Sequence, residues 1–203
     1  MYLIKQSKDF ITTPWKNGLG ETTELAINNG GTLKRFDWRL SMAKVTKNGV
    51  FSNFEGYQRQ LILINGNGIE LTHKNVLSSV ESIDRLVNKL DIAEFDGANE
   101  TYGKLVNGEI TDFNIITNTK VIDSKVQLIT QQAAFTIIAN CLLFIYSIEG
   151  EARVTMASVK GSGKSVSTEI LTLAQGELFQ CTTDGYESLE VVGHHLIVIQ
   201  MTG

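Results

Sequence analysis

The chain breaks its apolar residues into short runs, and this constrains its fold more than any other feature. Runs of Ile, Val, Leu, Thr and Phe, each a few residues long, are separated by Asn, Gly and Asp, and the chain contains 18 glycines and a single proline. Such runs are too short for a helical domain and have the length and residue types of strands bounded by turns. The fold class read from this pattern is all-β. Phe36, Trp38, Leu40 and Met42 alternate with Asp37, Arg39 and Ser41 and so give one apolar and one polar strand face. Arg59-Gln60-Leu61-Ile62-Leu63-Ile64 becomes apolar on both faces and closes on Asn65-Gly66-Asn67-Gly68, as a strand buried in a sandwich or barrel would.

The stretches LILINGNGIEL and LLFIYSIEGEARV repeat one event, a buried strand, a glycine turn and a second strand, about 80 residues apart. This repetition predicts two similar β domains, and each event reads as a hairpin. One segment fits two readings: Val80, Ile83, Leu86, Val87 and Leu90 fall at helical spacing with Ser79 or Ser82 as cap, yet a strand fits equally well. The polar stretch SVKGSGKSVST, residues 158–168, reads as a loop by composition.

Charge and targeting signals narrow the function classes. The 203 residues carry a formal charge of -4, with no run of Lys and Arg, which argues against nucleic acid or an anionic membrane as partner. Lys5, Lys8 and Asp9 interrupt the region where a signal peptide needs apolar residues, so the expected location is cytoplasmic. Cys141 and Cys181 lie in apolar strand-like runs and read as two buried free thiols.

Two tempting motifs fail. Gly161-Ser162-Gly163-Lys164-Ser165 lacks the upstream glycine of a phosphate-binding loop, because position 158 is Ser. The histidines are His73, His194 and His195; adjacent strand residues face opposite ways, so the last two are not expected to share an ion. Neither a metal nor another cofactor is expected. No Gly-x-Ser-x-Gly nucleophile elbow occurs.

The most informative stretch is TPWKNGLGETTEL, residues 13–25. Trp15-Lys16-Asn17-Gly18, then Gly20, Thr22 and Glu24, resembles the N-terminal signature of the HutD/Ves family, roughly W-K/R-N-G-G-G-x-T-x-E. The resemblance continues through Trp38-Arg39, through Asn48-Gly49-Val50-Phe51-Ser52 with Phe54, Gly56 and Arg59, and through Asp112-Phe113-Asn114. These blocks keep the family's order over residues 14–118. Leu19, Glu55 and Ile116 stand where glycine, proline and methionine are usual.

The resemblance implies a bicupin, two jelly-roll barrels in one chain, here placed at residues 1–118 and 119–203. It implies binding of a small acidic or formylated amino-acid metabolite such as N-formylglutamate, in a protein linked to histidine utilisation or stress response. It also implies no metal, because the chain has no His-x-His pair of the metal-dependent cupin kind.

The residue chemistry fits an anionic ligand. Arg39 and Arg59 supply planar donors for a carboxylate, each needing either a ligand or a protein carboxylate. For Arg39 the alternatives are a solvated face or a pair with Glu24 or Asp112. Asn17 can serve a formyl or amide group or a tight turn. Thr22 and Glu24 share a face and would orient Lys16, Asn17 or an arginine. Trp15 reads as a lid over apolar surface, and Asp112 and Asn114 as strand-end caps or pocket polarity. The expected role is non-catalytic binding as a sensor or regulator. The alternatives are an enzyme using an atypical metal site or Glu24 or Asp112 as a carboxylate base, and an interaction protein whose barrels form a homodimer.

Overall fold

The computed structural model describes residues 1–203 except 79, 132, 138, 139 and 161–164. Among the described residues the chain forms strands and one short 3-10 turn at Ser7–Asp9. Among the described residues no helix is long and apolar enough to cross a membrane.

In chain order the strands are β1 (Tyr2–Lys5), β2 (Ile11–Pro14), β3 (Gly20–Ile27), β4 (Trp38–Val45), β5 (Gly49–Val50), β6 (Tyr57–Gly66), β7 (Ile69–Lys74), β8 (Glu81–Leu86), β9 (Ile92–Asp96), β10 (Glu100–Leu105) and β11 (Ile110–Asn118). They continue as β12 (Asp123–Ile129), β13 (Ala133–Thr136), β14 (Leu142–Ser147), β15 (Ala152–Lys160), β16 (Ser165–Leu173), β17 (Leu178–Thr182), β18 (Ser188–Gly193) and β19 (Leu196–Thr202).

Two compact units result, Phe10–Ile122 and Met1–Asp9 with Asp123–Gly203. The division thus falls after Ile122 rather than after residue 118. The first nine residues leave the expected N-terminal barrel because β1 pairs with β17, Tyr2 opposite Cys181. Each unit is a pair of antiparallel sheets. The first has the orders β2-β3-β4-β11-β6-β9 and β5-β10-β7-β8; the second has β1-β17-β14-β19-β12 and β13-β18-β15-β16.

The two matching glycine turns do the same job, but neither is a hairpin. β6 and β7 lie in different sheets of the first unit, and β14 and β15 lie in different sheets of the second. The chain crosses from sheet to sheet at Gly66 and Gly68, whose φ values of 101° and 112° need glycine.

Other local expectations resolve by burial. Residues 81–86 form a strand: Leu86 and Leu90 are buried while Val80, Ile83 and Val87 are exposed, so the helical spacing marks no continuous buried stripe. Ser79 lies outside the described residues, as does the whole Gly161-Ser162-Gly163-Lys164 stretch. The polar 158–168 segment is largely strand rather than loop, with Ser158 opposite Ser167 across β15 and β16. His194 and His195 sit in the turn between β18 and β19, their rings 5.3 Å apart, instead of on opposite faces of a strand. His195 has φ 50° and places Nδ1 2.8 Å from a Glu149 carboxylate oxygen.

The second unit's core is apolar, with Leu143, Ile145, Val154, Phe179, Val191 and Val198 fully buried. Each contributes about 1.5–3 kcal/mol by leaving water. Cys141 and Cys181 are buried free thiols in this core. Burial pushes the Cys181 thiol up to about 12, which keeps it protonated and unreactive. The first unit differs: its core of Val45, Leu61, Leu63, Ile69, Leu71 and Ile110 fills only part of the space between its sheets.

Candidate functional site

Above that apolar core, the inner face of the six-stranded sheet turns polar. Antiparallel register places the side chains in rows, since directly opposite residues share a face. One row runs Arg39, Ile116, Arg59, Phe95; the next runs Glu24, Ser41, Asn114, Leu61; the third runs Thr22, Ala43, Asp112, Leu63. The face of β4 that carries Arg39 and Ser41 is therefore an interior wall: Arg39 is 7% and Ser41 2% exposed.

These rows border a cavity of about 620 Å³, within the usual range for a small-molecule site. Trp15, Lys16 and Asn17 line it from the turn before β3, Thr22 and Glu24 from β3, and Arg39, Arg59 and Asn114 from the neighbouring strands. Eight of the nine candidate residues thus meet at one cavity. Asp112 does not reach the wall; it lies fully buried behind Asn114.

Arg59 is 4% exposed, and its two terminal nitrogens are held while its buried Nε has no hydrogen-bond partner among the described residues. Its Nη1 donates to the Ser52 carbonyl at 3.1 Å and its Nη2 to Asn114 Oδ1 at 2.8 Å. The rings of Phe51, Phe54 and Phe95 lie 5.6, 5.4 and 5.0 Å from the guanidinium carbon, within cation–π range. The sequence signature contains Phe51 and Phe54 but carries no sign that they form an aromatic cage. Phe95 carried no local signal, because only sheet register puts it beside Arg59.

Asn114 Nδ2 in turn donates to Asp112 Oδ1. Neither residue caps a strand end; both lie within β11. Burial lowers Arg59 to about 10, opposed by the Asp112 charge and reinforced by Arg39, so the guanidinium remains cationic at neutral pH. Burial raises Asp112 from 3.8 to about 7, and only partly do Arg59 and the Asn114 hydrogen bond pull it back.

Arg39 donates from Nε to Glu24 Oε2 at 2.8 Å, so of its alternatives the Glu24 pair holds. A bulge after Glu24 offsets β3 against β4 and lets that carboxylate reach the arginine row. Thr22 differs from expectation: its Oγ1 accepts from Trp15 Nε1 at 2.7 Å and orients no cation. Trp15 packs on the apolar core, as a lid would. Asn17 Oδ1 accepts from the Leu19 amide at 3.1 Å, so its oxygen serves the turn, where Gly18 has φ 68°. Ile116 stands between the two arginines at the position where methionine is usual in the resembling family.

Among the described residues no group of three His, Cys, Asp or Glu side chains is placed to hold a metal ion. His73, buried under Phe95, has Nδ1 2.9 Å from Thr101 Oγ1 and Nε2 3.2 Å from Asp84 Oδ2. Burial holds its pKa below the usual value.

The chain is similar in sequence and in fold to known proteins. The HutD family profile matches residues 7–190. An uncharacterised 21.2 kDa protein from the hutC 3′ region of Pseudomonas putida is 36% identical over 113 residues, and Protein Ves of Escherichia fergusonii is 32% identical over 115. Each match covers 56% of this chain and 56% of the relative, so the chain spans about half the length of the curated relatives it matches. HutD from Pseudomonas fluorescens SBW25 superposes with TM-score 0.80 at 28% identity, over 100% of this chain and 98% of that one. Oxalate decarboxylase from Lactobacillus farciminis shares the fold at TM-score 0.62 and 10% identity, over 98% and 85% of the two chains. With its two cupin-type barrels and its N-terminal signature gathered at one cavity, the chain belongs to the HutD family.

Proposed function

We propose that this protein is a non-catalytic bicupin that binds a small acidic or formylated amino-acid metabolite of the N-formylglutamate type, as a sensor or regulator of histidine utilisation or stress response. The observation that carries this reading is the charge of the cavity. Lys16, Arg39 and Arg59 line it against one carboxylate, Glu24, in a chain of formal charge -4. A local cationic excess in an acidic protein selects an anion, and the buried setting of the two arginines strengthens the attraction relative to bulk water. Arg59 is preorganised by its cage, while Arg39 offers Nη donors at the wall; beyond Glu24 it has no hydrogen-bond partner among the described residues.

Calorimetric titration with N-formylglutamate tests the reading, with glutamate and histidine as controls. Saturable binding of the formylated compound is expected. Arg39→Gln should weaken it roughly 10- to 100-fold, the loss of one charged hydrogen bond, in a variant shown to be folded by circular dichroism. Absence of heat at millimolar ligand, or wild-type affinity in Arg39→Gln, would refute it.

A second reading, an enzyme with a carboxylate base, draws on Asp112, whose raised pKa of about 7 suits a base. Its geometry is unfavourable, because Asn114 separates that carboxyl from the cavity.

A further inference from the structure

The outer face of the four-stranded sheet in the first unit has a pattern that, apart from Val50 at its edge, the cavity does not use. Opposed residues on β10, β7 and β8 give a row Glu100, Lys74, Glu81 and, two residues further along each strand, a row Tyr102, Thr72, Ile83, which Val50 of β5 extends. Two residues further again comes Lys104, Glu70, Arg85. The charges therefore run minus, plus, minus on one side of an apolar row and plus, minus, plus on the other.

Apolar residues continue beyond both charged rows. Val76, Leu77 and Val80 are 54%, 93% and 64% exposed past the first, and Val87 and Val106 are 51% and 58% exposed past the second. Within the central row Ile83 is 56% and Tyr102 45% exposed. Exposed apolar stripes alternating with charge mark an interaction surface rather than a solvated one.

We propose that this face binds a second copy of the chain, with the two-fold axis lying along the Tyr102–Thr72–Ile83 row. Face-to-face docking of a sheet on its own copy has two simple in-plane axes, and the charges distinguish them. With the axis along the strands, each charged row meets itself, placing Lys74 on Lys74 and Glu100 on Glu81. With the axis along the central row, each row meets the other. Glu100 then faces Lys104, Lys74 faces Glu70, and Glu81 faces Arg85, each pair occurring twice. The apolar row packs on itself, and Val76, Leu77 and Val80 of one copy meet Val87 and Val106 of the other. The face is thus self-complementary in one orientation, as an isologous contact requires. Arg85 already holds Glu70 at 2.7 Å, which fixes the third row for docking.

Four strands at about 4.8 Å and five rows at about 6.8 Å span roughly 650 Å² of sheet per copy. Counted over both copies, about 1,300 Å², this lies near the lower bound for a specific interface, so weak association is expected.

Sedimentation equilibrium of the whole chain at roughly 10 to 100 µM tests this. The expected mass is twice 22.4 kDa. Ile83→Lys should give monomer. Glu81→Arg and Arg85→Glu should each be monomeric alone, because each sets like charges opposite one another, and should form a heterodimer when mixed. A wild-type monomer over that range, a dimer indifferent to Ile83→Lys, or single variants that stay apart on mixing would each overturn the proposal. These variants lie on the sheet face and leave the cavity residues untouched.

Discussion

Replacing Asp112 with asparagine should make the protein more stable at alkaline pH and flatten its pH dependence. The carboxyl is fully buried, and its pKa stands at about 7 in the fold against an ordinary 3.8. A raised carboxyl pKa means that the folded state holds the proton more tightly than the unfolded chain between those two values. Stability therefore falls as pH rises through that window and levels off above it. A displacement of about three pKa units corresponds to about 4 kcal/mol, and about 3 kcal/mol of it is lost between about pH 5 and about pH 8.5. Asparagine cannot ionise, yet its Oδ1 can accept the same hydrogen bond from Asn114 Nδ2. Urea unfolding at a series of pH values, followed by tryptophan fluorescence, reads the difference between the two proteins. His73 acts in the opposite sense, since its lowered pKa costs stability on acidification, but it contributes equally to both and cancels. Parallel curves for wild type and Asp112→Asn would refute the reasoning, because they would place the Asp112 titration outside the folded protein's pH window.

Arg59→Ala should cost about 3–5 kcal/mol by leaving Asp112 buried without its cation and emptying the phenylalanine cage. It therefore tests packing as well as binding, and an unchanged unfolding midpoint would contradict the burial of Arg59. The two glycines of the signature turn should differ: a Cβ at Gly20 would lie 2.1 Å from the Lys44 carbonyl oxygen, whereas one at Gly18 meets nothing within 4 Å. Gly18→Ala should thus cost about 1 kcal/mol for its positive φ and Gly20→Ala at least about 2–3 for the steric clash; equal losses in thermal unfolding would count against that strand register.

Sequence alone determined the β architecture, because alternation, short apolar runs and glycine turns are local properties of the chain. It also determined the repetition of the barrel: LILINGNGIEL and LLFIYSIEGEARV were legible as one event in two places. Their meaning as sheet-to-sheet crossings was not legible, since a hairpin and a crossing have the same local signature and differ only in which strands the rest of the chain supplies. The same limit governed residues 80–90, where Val80, Ile83 and Val87 satisfied helical spacing while remaining exposed.

For the site, sequence supplied the polar residues, and tertiary structure decided their roles. Arg39 and Arg59 are twenty positions apart, yet they flank Ile116 because β4 and β6 both pair with β11. Glu24 reaches Arg39 only through a bulge, Asp112 is withdrawn behind Asn114 by its place on the row below, and Phe95 reaches Arg59 through β9. Burial, and with it the pKa of Asp112 and the cationic character of the cavity, depends on which strands become neighbours. That is a long-range property of the sheets, and local patterning does not contain it.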